Sequence, residues 1–527
     1  MTIRSEVETR KDDMTQFQPL ASDATSPAVG LSYIAGRWSR GLSAETVRAI
    51  DPSTGLAVGP EYTFLSDSQS DEAVRVAEEA FATFAADSAR RVRLLEKTAD
   101  NLQGMRTAIV SIAHAETGLG ARRLEGELDR TTSQLRMFAD IVKDGGYRDV
   151  RISDTGVPGA LLEQHRVPLG PVLVFGASNF PLAFSAAGGD TASALAAGCP
   201  VIFKAHNAHP GTDALAAHAI ANAVSETGTH PGAFSLVYGS GRSAGQRLVA
   251  DPRVTAVAFT GSRQAGLSIV KTANARPVPI PVYAEMSSIN PVFLFPGALE
   301  GGNDTVLDLA RGFLGALTGS AGQLCTEPGL VFVPDTSGGR SFIDAVRRLV
   351  GDSRGQTMLT TAIASAYEVG VERLSRTPGV RELSRGVVGE GLNAPASAVF
   401  ETDVDVFLQD RSLHREVFGS ASLLVTYPAT ADDVLPRIAA SIEGQLTASV
   451  HQSESDRASV RRLLPLLERM AGRVVFNGWP TGVRVCDAVV HGGPFPATSA
   501  PRTSSVGAIA VERFLRPVAW QGRPEWL

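Results

Sequence analysis

The chain has 527 residues, of which 43% are hydrophobic and 20% charged, and its formal net charge at pH 7 is −6. This length accommodates two or three domains with substantial cores, and the composition is typical of globular proteins. The net charge is slightly negative and no block of basic residues occurs, so the chain lacks the positive patch typical of nucleic-acid-binding proteins. Three widely separated cysteines, Cys199, Cys325 and Cys486, argue against a disulfide framework or a CxxC metal site and predict a reducing, cytoplasmic environment.

Two segments bear on targeting. Residues 1–30 are polar and lack a continuous apolar run, which predicts a flexible lead-in rather than a signal peptide. The uncharged window from Pro171 to Gly189 is long enough to span a membrane. Because Gly176, Asn179 and Pro181 interrupt it, we favour a buried strand, a turn and a buried helix over a membrane span.

Helices dominate the first third of the chain. Residues 31–41 predict a short hairpin that turns at Ala35 and Gly36. Ser70 precedes an amphipathic segment with acids in its first turn, so we expect a helix to start there. Two further helices are predicted up to residue 144, and residues 145–169 alternate in a way that predicts strands outside the helical body.

From Pro171 onward, apolar strands alternate with helices up to Met286. This rhythm predicts an α/β fold with a mostly parallel sheet covered on both faces. Such sheets bind ligands at the carboxyl ends of their strands, where polar residues recur in this chain: Asn179, Lys204, Ser262 and Glu285. A second α/β region is predicted over residues 287–500, and the strand-like tail is expected to pair either with residues 145–169 or with a neighbouring subunit.

Several turns at these strand ends have both a functional and a plain interpretation. Gly261 and Ser262 can present backbone N–H groups to a phosphate, or form an ordinary strand-to-helix turn. Lys204 can reach a ribose or phosphate, or be a surface lysine. His206 and His209 lack a nearby carboxylate or cysteine partner, so we interpret them as polar loop residues rather than zinc ligands.

Glu285 and Cys325 are the candidates for chemistry. A carboxylate at the end of an apolar strand gains a raised pKa and can act as a general base, although Glu285 can also be a solvated loop acid. Cys325 can be a buried apolar cysteine, the interpretation that fits Cys199 well, or a nucleophile. The small residues 319–322 allow a ligand to approach it, and a helix N-terminus following Cys325 is expected to lower its thiol pKa.

Six motifs then occur in an order and spacing that resemble the aldehyde dehydrogenase superfamily: GASNFPLAF, FKAHNAHPGT, FTGSRQAG, AEMSSINPV, GQLCTEPG and REVFGS. The resemblance covers nearly the whole chain. The variant forms, including VVHGGPFPAT, look most like NADP-accepting α-ketoglutaric semialdehyde (2,5-dioxopentanoate) dehydrogenases, and bacterial long-chain aldehyde dehydrogenases share much of this pattern. A flavodoxin-like binding module explains the sheet but not the six motifs.

The resemblance implies a Rossmann-type dinucleotide-binding domain over residues 31–144 and 170–286, a catalytic domain over 287–500, and oligomerisation strands at 145–169 and 501–527. It implies that Cys325 attacks the aldehyde, that Asn179 and the N–H of Cys325 hold the oxyanion, and that Glu285 activates the water that releases the acid. The cofactor residues that it implies are Lys204, His206, Asn207, Gly261, Ser262, Gly266, Glu416 and Phe418.

Cofactor and substrate choice rest on fewer residues. NAD-preferring members resemble a pattern with glutamate three positions after the lysine, and Asn207 in its place predicts that NADP is preferred. A dicarboxylic semialdehyde needs a cation, for which Arg130 and Arg311 are candidates, each of which can equally be a helix-surface arginine. Phe180 and Phe184 would supply apolar walls, which suit a fatty aldehyde too.

The function that follows is NAD(P)-dependent oxidation of an aldehyde to a carboxylic acid through a thiohemiacetal and a thioester on Cys325. α-Ketoglutaric semialdehyde, giving 2-oxoglutarate, is the expected substrate. The alternatives are a broad medium- or long-chain aldehyde dehydrogenase and, from another class, a catalytically silent binding protein on the same scaffold. The family also implies a homodimer or homotetramer that binds neither membrane nor nucleic acid.

Overall fold

The computed structural model describes residues 30–157, 161–429, 433–524 and 526, so nearly all of the predicted N-terminal lead-in lies outside the described residues. The strands are β1 (Ser32–Ile34), β2 (Arg37–Ser39), β3 (Thr46–Ile50), β4 (Ala57–Thr63), β5 (Arg151–Asp154), β6 (Leu161–Pro168), β7 (Val172–Phe175), β8 (Val201–Lys204), β9 (Phe234–Val237), β10 (Ala256–Thr260), β11 (Val282–Glu285), β12 (Val292–Leu294), β13 (Leu330–Pro334), β14 (Arg381–Arg385), β15 (Ala398–Asp403), β16 (Ala421–Tyr427), β17 (Gln445–His451), β18 (Ala471–Phe476) and β19 (Leu515–Gln521). The α-helices are α1 (Asp67–Ala86), α2 (Ser88–Gly104), α3 (Arg106–Thr117), α4 (Ala121–Asp144), α5 (Gly189–Ala197), α6 (Pro210–Glu226), α7 (Gln246–Ala250), α8 (Arg263–Asn274), α9 (Asn303–Thr318), α10 (Ser337–Gly351), α11 (Thr361–Arg376), α12 (Val404–Gln409), α13 (Val434–Ser441) and α14 (Arg457–Met470).

The first sheet has the strand order β11-β10-β7-β8-β9-β1-β2. Strands β7 to β11 pair in parallel, and every residue of β7, β8 and β9 is buried, as expected when helices cover both faces. The predicted parallel α/β sheet is therefore confirmed. The hairpin β1–β2 extends one edge in antiparallel pairing and turns at Ala35 and Gly36, as predicted.

The second sheet has the order β14-β15-β16-β13-β12-β17-β18 and is parallel except where β14 pairs with β15. A third, three-stranded sheet has the order β19-β6-β5. In it the tail strand β19 runs antiparallel to β6, with Leu515 opposite Pro168. Of the two expected partners for the tail, the segment 145–169 of the same chain is the one observed.

The first helix begins one turn earlier than predicted. The sequence pointed to Ser70, but α1 begins at Asp67 with Ser66 as its N-cap. The Ser66 hydroxyl accepts the Gln69 N–H at 3.3 Å, and the Gln69 side chain accepts the Ser66 N–H at 3.1 Å. This reciprocal capping box satisfies two helix-end donors, which outweighs the acids after Ser70 as a start signal.

The helix predicted after Asn179 is also shorter than expected. Residues 181–188 form turns, and α5 covers only Gly189–Ala197. The buried Glu127 carboxylate accepts the backbone N–H groups of Leu182 and Ala183 at 2.8 and 2.9 Å, which holds these residues in a turn. This side-chain contact from a distant helix could not be inferred from the local apolar pattern.

The uncharged window from Pro171 to Gly189 therefore contains the short strand β7 followed by turns. Among the described residues, no helix combines the length and hydropathy needed to cross a bilayer. Cys199, Cys325 and Cys486 are all free thiols.

Candidate active site

Cys325 lies on a loop between α9 and β13 whose backbone is unusually tight. Ser320 and Ala321 both have φ of 58°, and Gly322 has φ of 68°. Left-handed conformations at non-glycine residues are strained and concentrate at functional sites. A Cβ atom on Gly322 would lie 2.3 Å from the backbone of Gly419, so the loop and the motif REVFGS can meet this closely only at a glycine.

Asn290 anchors the other side of this loop. Its Nδ2 donates to the carbonyl oxygens of Cys325 and Glu327 at 2.9 and 2.8 Å. Its Oδ1 accepts the Thr447 hydroxyl at 2.9 Å from the neighbouring strand β17. The motif AEMSSINPV therefore fixes the backbone of the cysteine, a role that sequence reasoning did not assign to Asn290.

Two hydrogen-bond donors converge beside the thiol. Asn179, which follows β7, directs its Nδ2 to the carbonyl oxygen of Gln323, two residues before Cys325, at 3.2 Å. The backbone N–H of Cys325 donates to no acceptor within the described parts of the chain. An amide side chain and a free backbone N–H near a thiol are the components of an oxyanion hole.

The half-buried thiol of Cys325 is the end of a chain of three functional groups, of which the other two are buried. Cys325 Sγ lies 3.3 Å from His491 Nε2, and the same nitrogen lies 3.0 Å from Glu285 Oε1. Ser505 donates its hydroxyl to the other carboxylate oxygen of Glu285 at 2.6 Å. His491 and Glu285 are each only 3% exposed, so these contacts occur away from solvent. We call Cys325, His491 and Glu285 the triad.

The charges of the triad stabilise one another. Burial raises the pKa of the Cys325 thiol, and the neighbouring His491 opposes that rise. The raised pKa predicted for Glu285 was wrong, because burial works to raise it but the charge and hydrogen bond of His491 hold it below its usual value. Burial acts to lower the pKa of His491, yet Glu285 and Cys325 raise it to about 10. The resting site is therefore a buried carboxylate–imidazolium pair beside a thiol.

The prediction that a helix N-terminus following Cys325 lowers its thiol pKa was wrong. No helix begins after the cysteine, because residues 326–329 turn directly into β13. The imidazolium of His491 supplies the charge that we had attributed to a helix N-terminus. The sequence analysis assigned no role to His491 or Ser505. Cys325 and His491 are 166 positions apart, so their contact cannot be inferred from local patterns, and the motif VVHGGPFPAT, which contains His491, indicated only the family.

Replacing His491 by glutamine should move the rising limb of the pH–rate profile to higher pH. Without the imidazolium, the pKa values of both Cys325 and Glu285 rise, so both groups ionise later. We expect kcat/KM at pH 7 to fall by about 10²-fold and to recover partly in alkaline buffer. His218→Gln on α6 is the matched control. An unchanged profile in the His491 variant would show that the imidazole is structural.

The residues implied to bind the dinucleotide meet at the carboxyl edge of the first sheet. Lys204 ends β8, and its Nζ lies 3.1 Å from the side-chain oxygen of Asn207. Burial lowers the lysine pKa to about 8, opposed by Asp213, so the group is mostly charged at neutral pH. At the end of β10, the Thr260 hydroxyl is buried without a partner among the described residues.

The N-terminus of α8 completes that edge. Gly261 and Ser262 are exposed there, and the Ser262 hydroxyl caps the helix by accepting the Ala265 N–H at 3.3 Å. Gly266 lies in the first turn, where a Cβ would come within 2.8 Å of the Met286 sulfur, so the absence of a side chain lets the helix pack closely over Met286. A helix N-terminus, a lysine and an unpaired hydroxyl together fit the phosphates and ribose of a nicotinamide dinucleotide.

The other residues that the resemblance implies for cofactor binding differ in burial and in their contacts. His206 accepts the Ala208 N–H on Nδ1 at 3.1 Å and stacks on His209, so its ring helps to shape the loop after β8. Glu416 is half-buried, and the partial desolvation of its carboxyl group raises its pKa to about 8. Phe418 is half-buried on the segment that meets the Cys325 loop at Gly419.

The four candidate substrate residues separate into two groups. Phe180 and Phe184 pack edge to face at 6.1 Å, in one apolar cluster with Val489 and Val506 near His491. The Arg130 guanidinium lies 5.6 Å from the Phe180 ring, close to this cluster. Arg311 lies on the surface of α9, 61% exposed and paired with Asp308, so the structure gives it no place at the site.

The sequence was also compared with known proteins. The profile of the aldehyde dehydrogenase family matches residues 38–493. An alpha-ketoglutaric semialdehyde dehydrogenase 2 of Azospirillum brasilense is 48% identical over 504 residues, which cover 94% of both chains. An alpha-ketoglutaric semialdehyde dehydrogenase of Acinetobacter baylyi is 39% identical over 495 residues, which cover 92% of both chains.

Solved structures share the fold at lower identity. A betaine aldehyde dehydrogenase of Staphylococcus aureus superposes with a TM-score of 0.81 at 20% identity, covering 95% of this chain and 97% of the other. A 3,6-anhydro-L-galactose dehydrogenase superposes with a TM-score of 0.79 at 21% identity, covering 93% and 99%. With the family profile and two close relatives in agreement, this chain belongs to the aldehyde dehydrogenase family, whose members oxidise aldehydes to acids.

Proposed function

We propose that this chain oxidises α-ketoglutaric semialdehyde to 2-oxoglutarate and prefers NADP as the hydride acceptor. The observation that carries the chemistry is the triad, with Cys325 Sγ 3.3 Å from His491 Nε2 and His491 Nε2 3.0 Å from Glu285 Oε1. The 48% identity to a relative named for this semialdehyde supports the substrate. Both groups that a silent binding protein would lack, the thiol and the carboxylate, are present, and each lies within hydrogen-bond distance of His491.

The first step is attack by the cysteine. The half-buried thiol releases its proton to solvent, and the resulting thiolate is stabilised by the imidazolium of His491, whose Nε2 lies 3.3 Å from Sγ. The thiolate adds to the aldehyde carbon, forming a C–S bond and an alkoxide on the former carbonyl oxygen. Asn179 Nδ2 and the free N–H of Cys325 are the donors for this oxyanion.

The second half of the reaction belongs to Glu285. A nicotinamide dinucleotide held by Lys204 and the N-terminus of α8 would supply the hydride acceptor, and loss of the hydride from the carbon attached to Cys325, with collapse of the alkoxide, would leave a thioester on that cysteine. Glu285, ionised and held by His491 and Ser505, takes a proton from water as the water attacks the thioester carbon. The C–S bond breaks, the acid leaves, and the thiolate is restored. Family members that transfer the acyl group to coenzyme A generally lack this glutamate, so its presence supports hydrolysis.

Replacing Asn207 by glutamate should turn the enzyme away from NADP. The new carboxylate would lie beside Lys204 Nζ, now 3.1 Å from the asparagine oxygen, and would repel a 2′-phosphate. We expect the ratio of kcat/KM for NADP over that for NAD to fall about 10- to 100-fold. Asn274→Glu adds the same charge at the opposite end of α8 and is the control. A wild-type enzyme that prefers NAD more than tenfold would contradict the NADP proposal.

The substrate proposal is tested by a kinetic comparison of α-ketoglutaric semialdehyde, succinic semialdehyde and a long-chain aldehyde, each with NADP and NAD. The highest kcat/KM is expected for α-ketoglutaric semialdehyde. The second candidate, a broad fatty-aldehyde dehydrogenase, is favoured by the apolar cluster around Phe180 and Phe184. A higher kcat/KM for the long-chain aldehyde would select that function instead.

The proposal extends to assembly and location. The three-stranded sheet leaves large apolar side chains exposed, namely Ile152, Leu161, Leu162 and Trp520. These residues support a homodimer or homotetramer that covers this sheet, and a monomer in sedimentation experiments at micromolar concentration would rule it out. Three free cysteines support a cytoplasmic location.

A further inference from the structure

One face of α4 carries two arginines, Arg123 and Arg130, close to the segment that contains Asn179. Arg123 and Arg130 are seven positions apart, or about two helical turns, so they share a face. Their guanidinium carbons lie 5.1 and 5.6 Å from the centre of the same ring, that of Phe180. Phe180 immediately follows Asn179, so both cations lie at the wall of the reaction site.

Arg123 is tied to the catalytic machinery on one side only. Its Nη2 donates to the carbonyl oxygen of Asn179 at 2.7 Å and lies 3.5 Å from Glu127. Its other terminal nitrogen, Nη1, is buried without a partner among the described residues. Glu127 Oε1 accepts the backbone N–H groups of Leu182 and Ala183, and its other oxygen, Oε2, is the atom that lies 3.5 Å from Arg123 Nη2, which leaves Nη1 without an anion in the described part of the chain.

Arg130 has even fewer partners. No hydrogen bond or ion pair joins it to another residue in the described ranges, and its Nε is buried and unsatisfied. An arginine held against an aromatic ring without an anion is costly to bury, and a carboxylate would satisfy it with two parallel hydrogen bonds. Its charge also reaches the reaction centre, where it helps to lower the pKa of Cys325.

We propose that Arg130, assisted by Arg123, binds the distal carboxylate of a short semialdehyde whose aldehyde end lies at Cys325. The inference rests on the proposed function and deepens it. The free donors of both arginines supply the carboxylate contacts, and Phe180 and Phe184 line the path of the methylene carbons between the two ends. Phe180 and Phe184 alone would also suit a fatty aldehyde. In this arrangement the guanidinium of Arg130 makes the site selective for an aldehyde that carries a carboxylate.

The two arginines have separable roles. Arg123 positions Asn179 through its carbonyl oxygen, so its loss weakens the oxyanion hole for every aldehyde. Arg130 contacts neither Asn179 nor the triad by a hydrogen bond among the described residues. Its loss therefore reaches uncharged aldehydes only through its weak effect on the pKa of Cys325, whereas substrates with a carboxylate also lose a binding partner. Arg130 is therefore the specificity-determining residue of the pair.

The test compares Arg130→Gln with the wild type and with Arg122→Gln, an exposed arginine on the same helix. The aldehydes are α-ketoglutaric and succinic semialdehyde, with pentanal and butanal as uncharged partners of matching length. We expect kcat/KM of Arg130→Gln for the semialdehydes to fall about 10- to 100-fold, mainly through KM, and that for pentanal and butanal to stay within about threefold. Arg130→Lys should recover part of the loss.

The outcomes separate the two proposals. If the wild type prefers semialdehydes and Arg130→Gln keeps that preference, the arginine assignment is overturned and the substrate proposal stands. If the wild type shows no preference for a carboxylate, both are overturned. An equal loss on charged and uncharged aldehydes would also overturn the assignment, and an unchanged thermal unfolding midpoint excludes misfolding as the cause of such a loss.

Discussion

Cys325→Ala is expected to abolish aldehyde oxidation, with kcat falling by at least about 10⁴-fold. No other thiol can replace it, because Cys199 is fully buried and burial raises its pKa to about 11. Cys486 is exposed, but no hydrogen bond joins its thiol to the carboxylate or imidazole of the triad. The measurement is NADPH formation at saturating semialdehyde, together with cofactor binding followed by fluorescence.

The matched control is Cys486→Ala, which removes a free thiol outside the triad and should leave kcat within about twofold. Cofactor binding should survive in Cys325→Ala, since Lys204 and the N-terminus of α8 lie on the other sheet's edge. Residual oxidation above about 1% of the wild-type rate would place the nucleophile elsewhere. Loss of cofactor binding would instead indicate that the strained loop at Ser320 and Ala321 had collapsed.

The parts of the structure that the sequence predicted correctly are those that local patterns determine. Alternating apolar strands and helices over residues 171–286 gave the parallel sheet, because both faces of each strand must be buried. The polar residues at strand ends, such as Lys204 and Glu285, could be placed at one edge for the same reason. The motifs then indicated the family, which the comparisons confirm.

The parts that could not be predicted depend on contacts between distant segments. Nothing near His491 in the sequence shows that Cys325 and Glu285 lie beside it, since these contacts span 166 and 206 positions. Likewise, Arg130 and Arg311 look alike as helical arginines. Only the packing of α4 against Phe180, and the exposure of α9, separates them.

Glu285→Gln should separate the two halves of the reaction. Glutamine preserves the size of the side chain but cannot take a proton from water, so the thioester on Cys325 should accumulate. We expect steady-state turnover to fall about 10²- to 10⁴-fold, whereas a rapid burst of about one NADPH per active site remains. Stopped-flow absorbance gives the burst, and mass spectrometry of the quenched enzyme shows the acyl group on Cys325.

The same variant also tests the electrostatics of the triad. Burial acts to lower the pKa of His491, and the charge of Glu285 is the largest of the effects that raise it to about 10. Without the carboxylate, that pKa falls, and the imidazole becomes neutral at a lower pH and can accept the proton of Cys325 directly. The burst should therefore persist at neutral pH but disappear when Glu285→Gln is combined with Cys325→Ala.

The control is Glu443→Gln, which changes an exposed acid paired with Arg263 and should leave both the burst and the steady-state rate unchanged. Turnover near the wild-type rate in Glu285→Gln would show that another group activates the water, while a lost burst would show that the carboxylate is needed for the attack by Cys325 itself.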